Sequence, residues 1–256
     1  MERLCSGCRD GESFEVPFTM AFQPIVDTLT GEPFAYEALV RGVDGSGAGQ
    51  VLAQVNEANR YAFDQACRVK AIEVAMQAGL MKGGARLSIN FLPNAVYSPL
   101  ACIQLTLATA QSVGMPLDRL IFEFTENEEM GSPDHVAGII ETYKRIGFAV
   151  AIDDFGAGHS GLDLFARFVP DEIKLDMALI RDIDRDRRRQ SIVRGLVGMC
   201  AELDTLLIAE GIETAEEAAT LRELGVRYQQ GYWYAKPAIE MLPAMRAEAQ
   251  ASFLRN

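Results

Sequence analysis

The sequence lacks several features that would assign it to familiar classes of protein. Two histidines occur among 256 residues, and neither lies near a cysteine or the other histidine, so a zinc or copper site is not expected. No apolar run reaches the roughly 20 residues that a membrane-spanning helix needs. Basic residues number 24 against 36 acidic ones, for a net charge of −12, which disfavours binding to a nucleic-acid polymer or insertion into an anionic membrane.

The cysteines show no framework spacing that would indicate disulfides. Their odd number predicts reduced thiols, which are typical of the cytoplasm; they are Cys5, Cys8, Cys67, Cys102 and Cys200. Cys5 and Cys8 form a CxxC that offers only two of the four ligands of a structural zinc site. We interpret residues 1–17 as a polar N-terminal tail, with a redox or metal-bridging role for this pair as the alternative. The tail has no apolar central run, so we expect no secretory signal. We therefore expect a cytoplasmic location.

The rest of the chain, residues 18–256, alternates between strand and helix patterns. Helices are predicted at 51–79 with a break near Asn59 or Arg60, and at 100–113, 134–146, 190–203 and 215–224. Strands are predicted at 19–26, 34–40, 86–92, 120–125, 148–152, 172–175, 206–209 and 227–229. Such alternation indicates parallel strands joined by right-handed crossovers. One domain of this length with about eight strands suits a closed barrel, and an open doubly wound sheet is the alternative.

Polar residues occur in or just after these strands, where buried strands should be apolar. They are Glu37, Asn90, Glu123, Glu126, Asp153, Asp154, Lys174, Asp176, Glu210, Glu213 and Gln230. Each alone could be a helix cap or a solvated loop residue. In a parallel barrel, however, the carboxyl ends of the strands converge on one mouth. Burying so many carboxylates together requires compensating cations.

The donor set indicates which cations these are. Carboxylate and amide oxygens are hard ligands, so Mg²⁺ or Mn²⁺ is favoured over softer metals. Several acids could hold two divalent ions, and such pairs commonly assist cleavage of phosphodiesters. Lys174 and Arg41 add local positive charge, so an acidic protein could still bind a phosphate compound at this mouth.

These polar residues lie within a recognisable series of motifs. In chain order they are Gln23-Pro-Ile-Val, Tyr36-Glu-Ala-Leu-Val-Arg41, Ser88-Ile-Asn90, Glu123-Phe-Thr-Glu126, Asp153-Asp-Phe-Gly156, Ile173-Lys-Leu-Asp176, Ala209-Glu-Gly-Ile-Glu-Thr214 and Gln230-Gly-Tyr232 with Pro237. The series resembles that of the EAL family of cyclic di-GMP phosphodiesterases, from about Phe18 to Pro237. The resemblance implies a TIM-like (β/α)8 barrel with an antiparallel first strand, and hydrolysis of the bacterial second messenger cyclic di-GMP to linear pGpG.

The resemblance also implies roles for individual residues. Metal ligands for two Mg²⁺ or Mn²⁺ ions would be Glu37, Asn90, Glu123, Asp153, Asp154 and Glu210. Substrate contacts would come from Gln23, Leu39, Arg41, Gln230 and Pro237, with Glu126 and Glu213 in support. Lys174 or Glu210 would be the general base, and a buried Lys174 beside two metal ions could have a lowered pKa, which would suit that role. A catalytically silent cyclic di-GMP receptor or partner-binding module is the alternative.

One loop departs from the family pattern. The family usually has Phe-Gly-Thr-Gly-Tyr-Ser-Ser here, whereas this chain has Phe155-Gly-Ala-Gly-His-Ser-Gly161. Ala157, His159 and Gly161 thus replace threonine, tyrosine and serine. We expect activity to persist with an altered rate or altered control. The charged run 182–189 is interpreted as a solvated loop and helix start. Because the following helix often contributes to a dimer in the family, a homodimer is expected, and regulation is expected from a partner protein, oligomerisation or the Cys5/Cys8 segment.

Overall fold

Eight strands close into a barrel in the computed structural model, which describes residues 12–125, 133–158 and 161–253. The strands are β1 (Phe18–Asp27), β2 (Glu32–Gly42), β3 (Arg86–Asn90), β4 (Leu120–Thr125), β5 (Ala149–Phe155), β6 (Glu172–Leu175), β7 (Leu206–Ala209) and β8 (Tyr228–Gln230), and a short β9 (Ala238–Ile239) pairs with β1 outside the ring. Neighbours from β2 to β8 are parallel, whereas β1 is antiparallel to both β2 and β8. The barrel and its antiparallel first strand are thus confirmed, and the open-sheet alternative is wrong.

The helices follow the predicted alternation with some differences in extent. They are α1 (Ala48–Leu52), α2 (Arg60–Gln77), α3 (Pro99–Cys102), α4 (Gln104–Val113), α5 (Pro133–Ile146), α6 (Gly161–Arg167), α7 (Met177–Ile180), α8 (Arg187–Glu202), α9 (Ala215–Glu223) and α10 (Ala247–Phe253). The helix expected at 51–79 is interrupted over residues 53–59 and not only near Asn59 or Arg60, since α1 ends at Leu52 and α2 begins at Arg60. The helix expected at 100–113 is divided at Ile103. No helix within the described ranges has both the length and the apolar character needed to cross a membrane.

The hydrophobic core has two parts that together place the polar side chains. The larger part lies between the outer surface of the barrel and the surrounding helices. The smaller part fills the inside of the barrel near the amino ends of the parallel strands and consists of Ile25, Ala35, Ile121, Ala149, Ala151, Ile208 and Tyr228. Because this apolar plug occupies one end, inward-facing polar groups gather at the other end, where the parallel strands finish.

A buried ion pair fixes α2 against the outside of the barrel. Arg68 and Asp64, both about fully buried, are 2.6 Å apart at Nη2 and Oδ2. The Arg68 guanidinium also donates to the Tyr143 hydroxyl at 2.7 Å. Asp64 Oδ1 accepts the backbone N–H of Leu92 at 2.9 Å, which ties α2 to the loop that follows β3.

Candidate active site

The two-residue period of the strands explains how the site arises from the sequence. Side chains two positions apart in a strand share one face of the sheet. In β4 the buried Ile121 belongs to the interior plug, and Glu123 follows two positions later on the same face. Ala151 and Asp153 have the same relationship along β5. The inward row therefore changes from apolar to acidic toward the carboxyl ends of the strands.

Five carboxylates meet at this end of the barrel. Oxygen atoms of Glu37, Glu123 and Asp153 lie within 4.8 Å of one another, and so do oxygens of Asp153, Asp154 and Glu210. Asp153 is common to both groups, as expected for a residue that could bridge two ions. The first group is buried and the second is partly accessible. The structure thus brings together all five acids that the family resemblance assigned to metal binding.

Lys174 lies at the centre of these acids. Its Nζ atom is 2.6 Å from Glu210 Oε1, 3.0 Å from Glu123 Oε2 and 3.2 Å from Asp153 Oδ1. A fourth oxygen, Oε2 of Glu37, is 3.6 Å away. Burial favours a lower pKa for Lys174, but the surrounding carboxylates outweigh it and hold the pKa well above its ordinary value. The raised pKa reflects the carboxylates alone. The lowered pKa expected from the sequence concerns a lysine beside two bound metal ions, and it stays a prediction.

Asn90 and Ser88 hold two of the acids in place. The Asn90 amide donates to Glu123 Oε1 at 3.0 Å and to Glu37 Oε1 at 3.2 Å. The Ser88 hydroxyl donates to Glu123 Oε2 at 2.8 Å. Ser88 belongs to the motif Ser88-Ile-Asn90, but the sequence did not indicate a role for it. Its position two residues before Asn90, on the same strand face, is the signal that could have found it.

The electrostatics of the cluster indicate a need for cations. Burial, together with neighbouring carboxylates, raises the pKa of Glu123 and of Glu210 well above the ordinary value. Burial and the charge of Asp153 raise the pKa of Asp154 to about 6. For Glu37, burial favours a higher pKa, but Lys174 and hydrogen bonds, chiefly from Gln230, lower it.

The charge count and the donor chemistry both fit two divalent ions. Five carboxylates around one ammonium leave four negative charges in the cluster, and two divalent cations carry four positive ones. Oxygen donors from carboxylates and one amide are those that Mg²⁺ and Mn²⁺ accept. No ligand nitrogen or sulfur from histidine or cysteine belongs to either group of candidate ligands in the described residues.

Three of the proposed substrate residues, Gln23, Leu39 and Gln230, line one or both of two cavities that share Glu37 and Leu39. A cavity of about 390 Å³ extends from Asn90 and Asp154 toward α2, and a second of about 290 Å³ is lined by Gln23, Gln230, Glu210 and Tyr232. Gln230 donates to Glu37 Oε2 at 2.6 Å and to Gln23 Oε1 at 3.3 Å. Gln23 in turn donates to the carbonyl of Ala235 at 3.0 Å.

Of the remaining predicted site residues, Glu213 also lines the smaller cavity. Arg41 donates to the carbonyl of Val40 at 2.7 Å, and neither it nor Pro237 lines the two cavities. Glu213 is exposed and pairs with Arg181 at 2.8 Å. Glu126 lies outside the described residues.

The loop after β5 begins with an unusual backbone. Asp154 has φ of +53°, in the left-handed region that most side chains avoid. Gly156 has φ of +95°, and a Cβ there would contact Leu179 closely, so glycine is required. The N–H of Ala157 donates to the Asp154 carbonyl at 3.1 Å. Gly161 begins α6, while His159 is outside the described residues.

Curated relatives include both an antirepressor and an enzyme. The blue light- and temperature-regulated antirepressor BluF of Escherichia coli is 32% identical over 225 residues, covering 88% of this chain and 55% of BluF. The cyclic di-GMP phosphodiesterase PdeR of Escherichia coli is 38% identical over 126 residues, covering 49% of this chain and 18% of PdeR. This chain therefore spans only about half, or less, of the length of these relatives.

Solved structures resemble the fold over most of its length. A standalone versatile EAL protein from Vibrio cholerae O395, in a c-di-GMP-bound form, has a TM-score of 0.89 and 48% identity, covering 93% of this chain and 99% of that one. A manganese and cyclic di-GMP complex of Klebsiella pneumoniae BlrP1 has a TM-score of 0.84 and 32% identity, covering 92% of this chain and 60% of that one. The family model of the EAL domain matches residues 15–237. The chain belongs to the EAL domain family.

Proposed function

We propose that this protein is a cyclic di-GMP phosphodiesterase that uses two divalent ions, Mg²⁺ or Mn²⁺, to hydrolyse its substrate to linear pGpG. The observation that carries this proposal is the cluster of five carboxylates at the mouth of the barrel, four of which surround Lys174. A relative named as a cyclic di-GMP phosphodiesterase and a neighbouring structure with manganese and cyclic di-GMP support it.

The geometry allows the ligands to be divided between two ions. Glu37, Asn90, Glu123 and Asp153 would hold the first ion, and Asp153, Asp154 and Glu210 would hold the second. Bound ions would supply Lewis acidity to the attacking water and to the leaving oxygen of the phosphodiester.

The protein groups favour Glu210 over Lys174 as the proton acceptor. Lys174 is held as an ammonium by the acids around it, and an ammonium has no lone pair to accept a proton. Glu210, whose Oε1 is 2.6 Å from Lys174 Nζ, is a carboxylate with lone pairs that can accept a proton. Lys174 would then orient the water by donating to its oxygen. Gln23, Leu39 and Gln230 would contact the dinucleotide from the smaller cavity, and Arg41 a phosphate.

Product analysis tests the proposal directly. The protein is incubated with cyclic di-GMP and either Mn²⁺ or Mg²⁺, and the nucleotides are separated by chromatography. We expect pGpG to accumulate with either ion and not in EDTA. Tight nucleotide binding without any pGpG would contradict hydrolysis and favour a catalytically silent receptor.

We also propose a cytoplasmic homodimer, and a regulatory protein partner is a further expectation from the family resemblance. Sedimentation of the purified chain with and without cyclic di-GMP measures the oligomeric state. A monomer in both conditions would contradict the dimer.

A further inference from the structure

A buried glutamate in the first turn of α9 joins two loops at the mouth of the barrel. Glu217 is 2% exposed, and its carboxylate accepts three backbone N–H groups. Oε2 accepts from Glu213 at 2.9 Å and from Thr214 at 3.2 Å, while Oε1 accepts from Asp182 at 3.0 Å. No lysine or arginine forms an ion pair with it in the part of the chain that the structure describes.

The first two contacts belong to the start of the helix itself. Thr214 is the N-cap of α9, its hydroxyl accepts the Glu217 N–H at 3.2 Å, and the two residues form a reciprocal capping box. The bond to Asp182 is different, because Asp182 lies 35 positions earlier in the chain, in the segment after α7. A helix cap alone does not require it.

The two loops joined by Glu217 both leave the proposed active site. The segment 210–214 carries Glu210, and the segment 176–186 follows Lys174 through Asp176. Backbone packing also brings them together: Gly211 has φ of +69°, and a Cβ there would clash with Met177. At the surface, Arg181 and Glu213 make an ion pair at 2.8 Å between the same two segments.

Asp182, which donates its N–H to Glu217, has a constrained backbone. Asp182 has φ of +56°, a left-handed conformation that persists when surrounding contacts hold it in place. Its N–H points to Glu217 in this conformation. The Asp182 N–H is therefore held by one buried carboxylate oxygen, while Arg189 and Gln190 of α8 hold the neighbouring carbonyls of Arg181 and Ile183.

We propose that Glu217 is a positioning residue for Glu210, which acts by locking the loop after β7 to the loop after β6. The inference rests on the proposed function for its catalytic consequence. Groups behind metal ligands commonly change metal affinity or activity by roughly 10-fold to 100-fold when they are removed. The loss of the Asp182 bond should thus weaken divalent-ion binding, with much less effect on the helix.

The substitution Glu217→Gln should remove the hydrogen bond to Asp182 and keep those to Glu213 and Thr214. The glutamine retains one carbonyl oxygen for Glu213 and Thr214, but it presents an amide donor to the Asp182 N–H, and two donors cannot pair. Glu216→Gln is the matched control, since Glu216 is exposed in the same helical turn and the change in charge is identical. Arg181→Gln breaks the surface ion pair between the same loops and does not disturb a buried group.

The test is calorimetric titration of the full chain with Mn²⁺ in the absence of nucleotide, accompanied by hydrogen exchange at the Asp182 amide. We expect Glu217→Gln to weaken Mn²⁺ binding about 10-fold or more and to speed exchange at Asp182. We expect a loss of about twofold to fivefold for Arg181→Gln and less than twofold for Glu216→Gln. If Glu217→Gln does not fold, Glu217→Asp takes its place, because it keeps the carboxylate but shortens the side chain by one methylene and should lose the bond to Asp182. A Mn²⁺ affinity of Glu217→Asp equal to that of Glu216→Gln would overturn the proposal.

Two results would overturn the proposal. One is a Glu217→Gln titration that superimposes on that of Glu216→Gln, and the other is unchanged exchange at Asp182. A wild-type protein that binds Mn²⁺ but produces no pGpG would instead refute the proposed phosphodiesterase activity. The Mn²⁺ affinities of Glu217→Gln and Glu216→Gln would still test the positioning role of Glu217.

Discussion

Replacing Asp154 by asparagine should stabilise the metal-free protein while removing a proposed metal ligand. The pKa of Asp154 is raised from 3.8 to about 6, first by burial and then by the charge of Asp153. The folded state therefore resists ionisation of this group, which the unfolded chain permits. Asparagine keeps the size of the side chain and tolerates the left-handed backbone at this position, so the substitution isolates the charge.

The size and the pH dependence of the effect follow from this difference in proton affinity. The difference in the pKa of Asp154 between the unfolded and folded states corresponds to about 3 kcal/mol in the free energy of unfolding. We reduce this to about 2 kcal/mol because Asp154 is only half-buried and solvent screens its charge. The wild-type protein loses this stability as the pH rises from about 4 to about 6, and the loss is complete above that. The advantage of Asp154→Asn should thus be largest near pH 8 and vanish near pH 4.

Thermal unfolding in EDTA measures this advantage. A gain of about 2 kcal/mol should raise the Tm by roughly 4–8 °C at pH 8 in a chain of this size. Added Mn²⁺ should stabilise the wild type more than the variant, since an ion that binds only the folded state adds its binding free energy to stability. A variant that melts below the wild type in EDTA at pH 8, or a difference that does not depend on pH, would refute the reasoning.

Three further results are expected. Glu37→Ala should lower turnover by at least about 100-fold and leave the protein folded, with a reduced Tm because Asn90 and Gln230 lose their acceptor. Glu32→Ala, at an exposed position of the same strand, is the control, and wild-type rates in Glu37→Ala would contradict the site. Calcium alone should not support turnover, because its larger coordination shell suits this compact site poorly, and product formation equal to that with Mn²⁺ would argue against the proposed pair of ions. Arg86→Met should destabilise the protein by about 1–3 kcal/mol in urea unfolding at pH 8, because the buried Glu172 loses its partner at 2.7 Å. Burial raises the pKa of Glu172 to about 7 even beside Arg86, so protonation should limit the loss at lower pH, and an unchanged unfolding midpoint at pH 8 would show that Glu172 is otherwise satisfied.

The order of strands and helices was predictable because periodicity is a local property of the chain. The boundaries were less so: the pattern at 100–113 continues through Ile103, but the chain turns there between α3 and α4. The short helices α6 and α7 and the strand β9 were not predicted, since a few residues are too short for a period to show. The direction of β1 came only from the resemblance to the family, because strand orientation is set by pairing between distant segments.

The site was predictable to the extent that its residues interrupt apolar strands. Glu123 and Lys174 stood out as charges within otherwise apolar runs, and both are almost fully buried in the structure. Ser88 did not stand out, because a small hydroxyl is common in strands. The role of Glu217 was also missed, although Thr214 three residues before it is the pattern of a capping box. Its bond to Asp182 depends on two loops meeting in space, which no local pattern reveals.

The reversed direction of β1 has a practical consequence for anyone dissecting this barrel by substitution. In the seven parallel strands, changes near the end of a strand affect chemistry and changes near its start affect stability. In β1 this order is inverted: Gln23 is opposite Glu37 in the hairpin, while Ile25, closer to the end, belongs to the apolar plug. A mutational scan scored by strand position alone would thus misclassify the two halves of the first strand, whereas a scan scored by depth in the barrel would not.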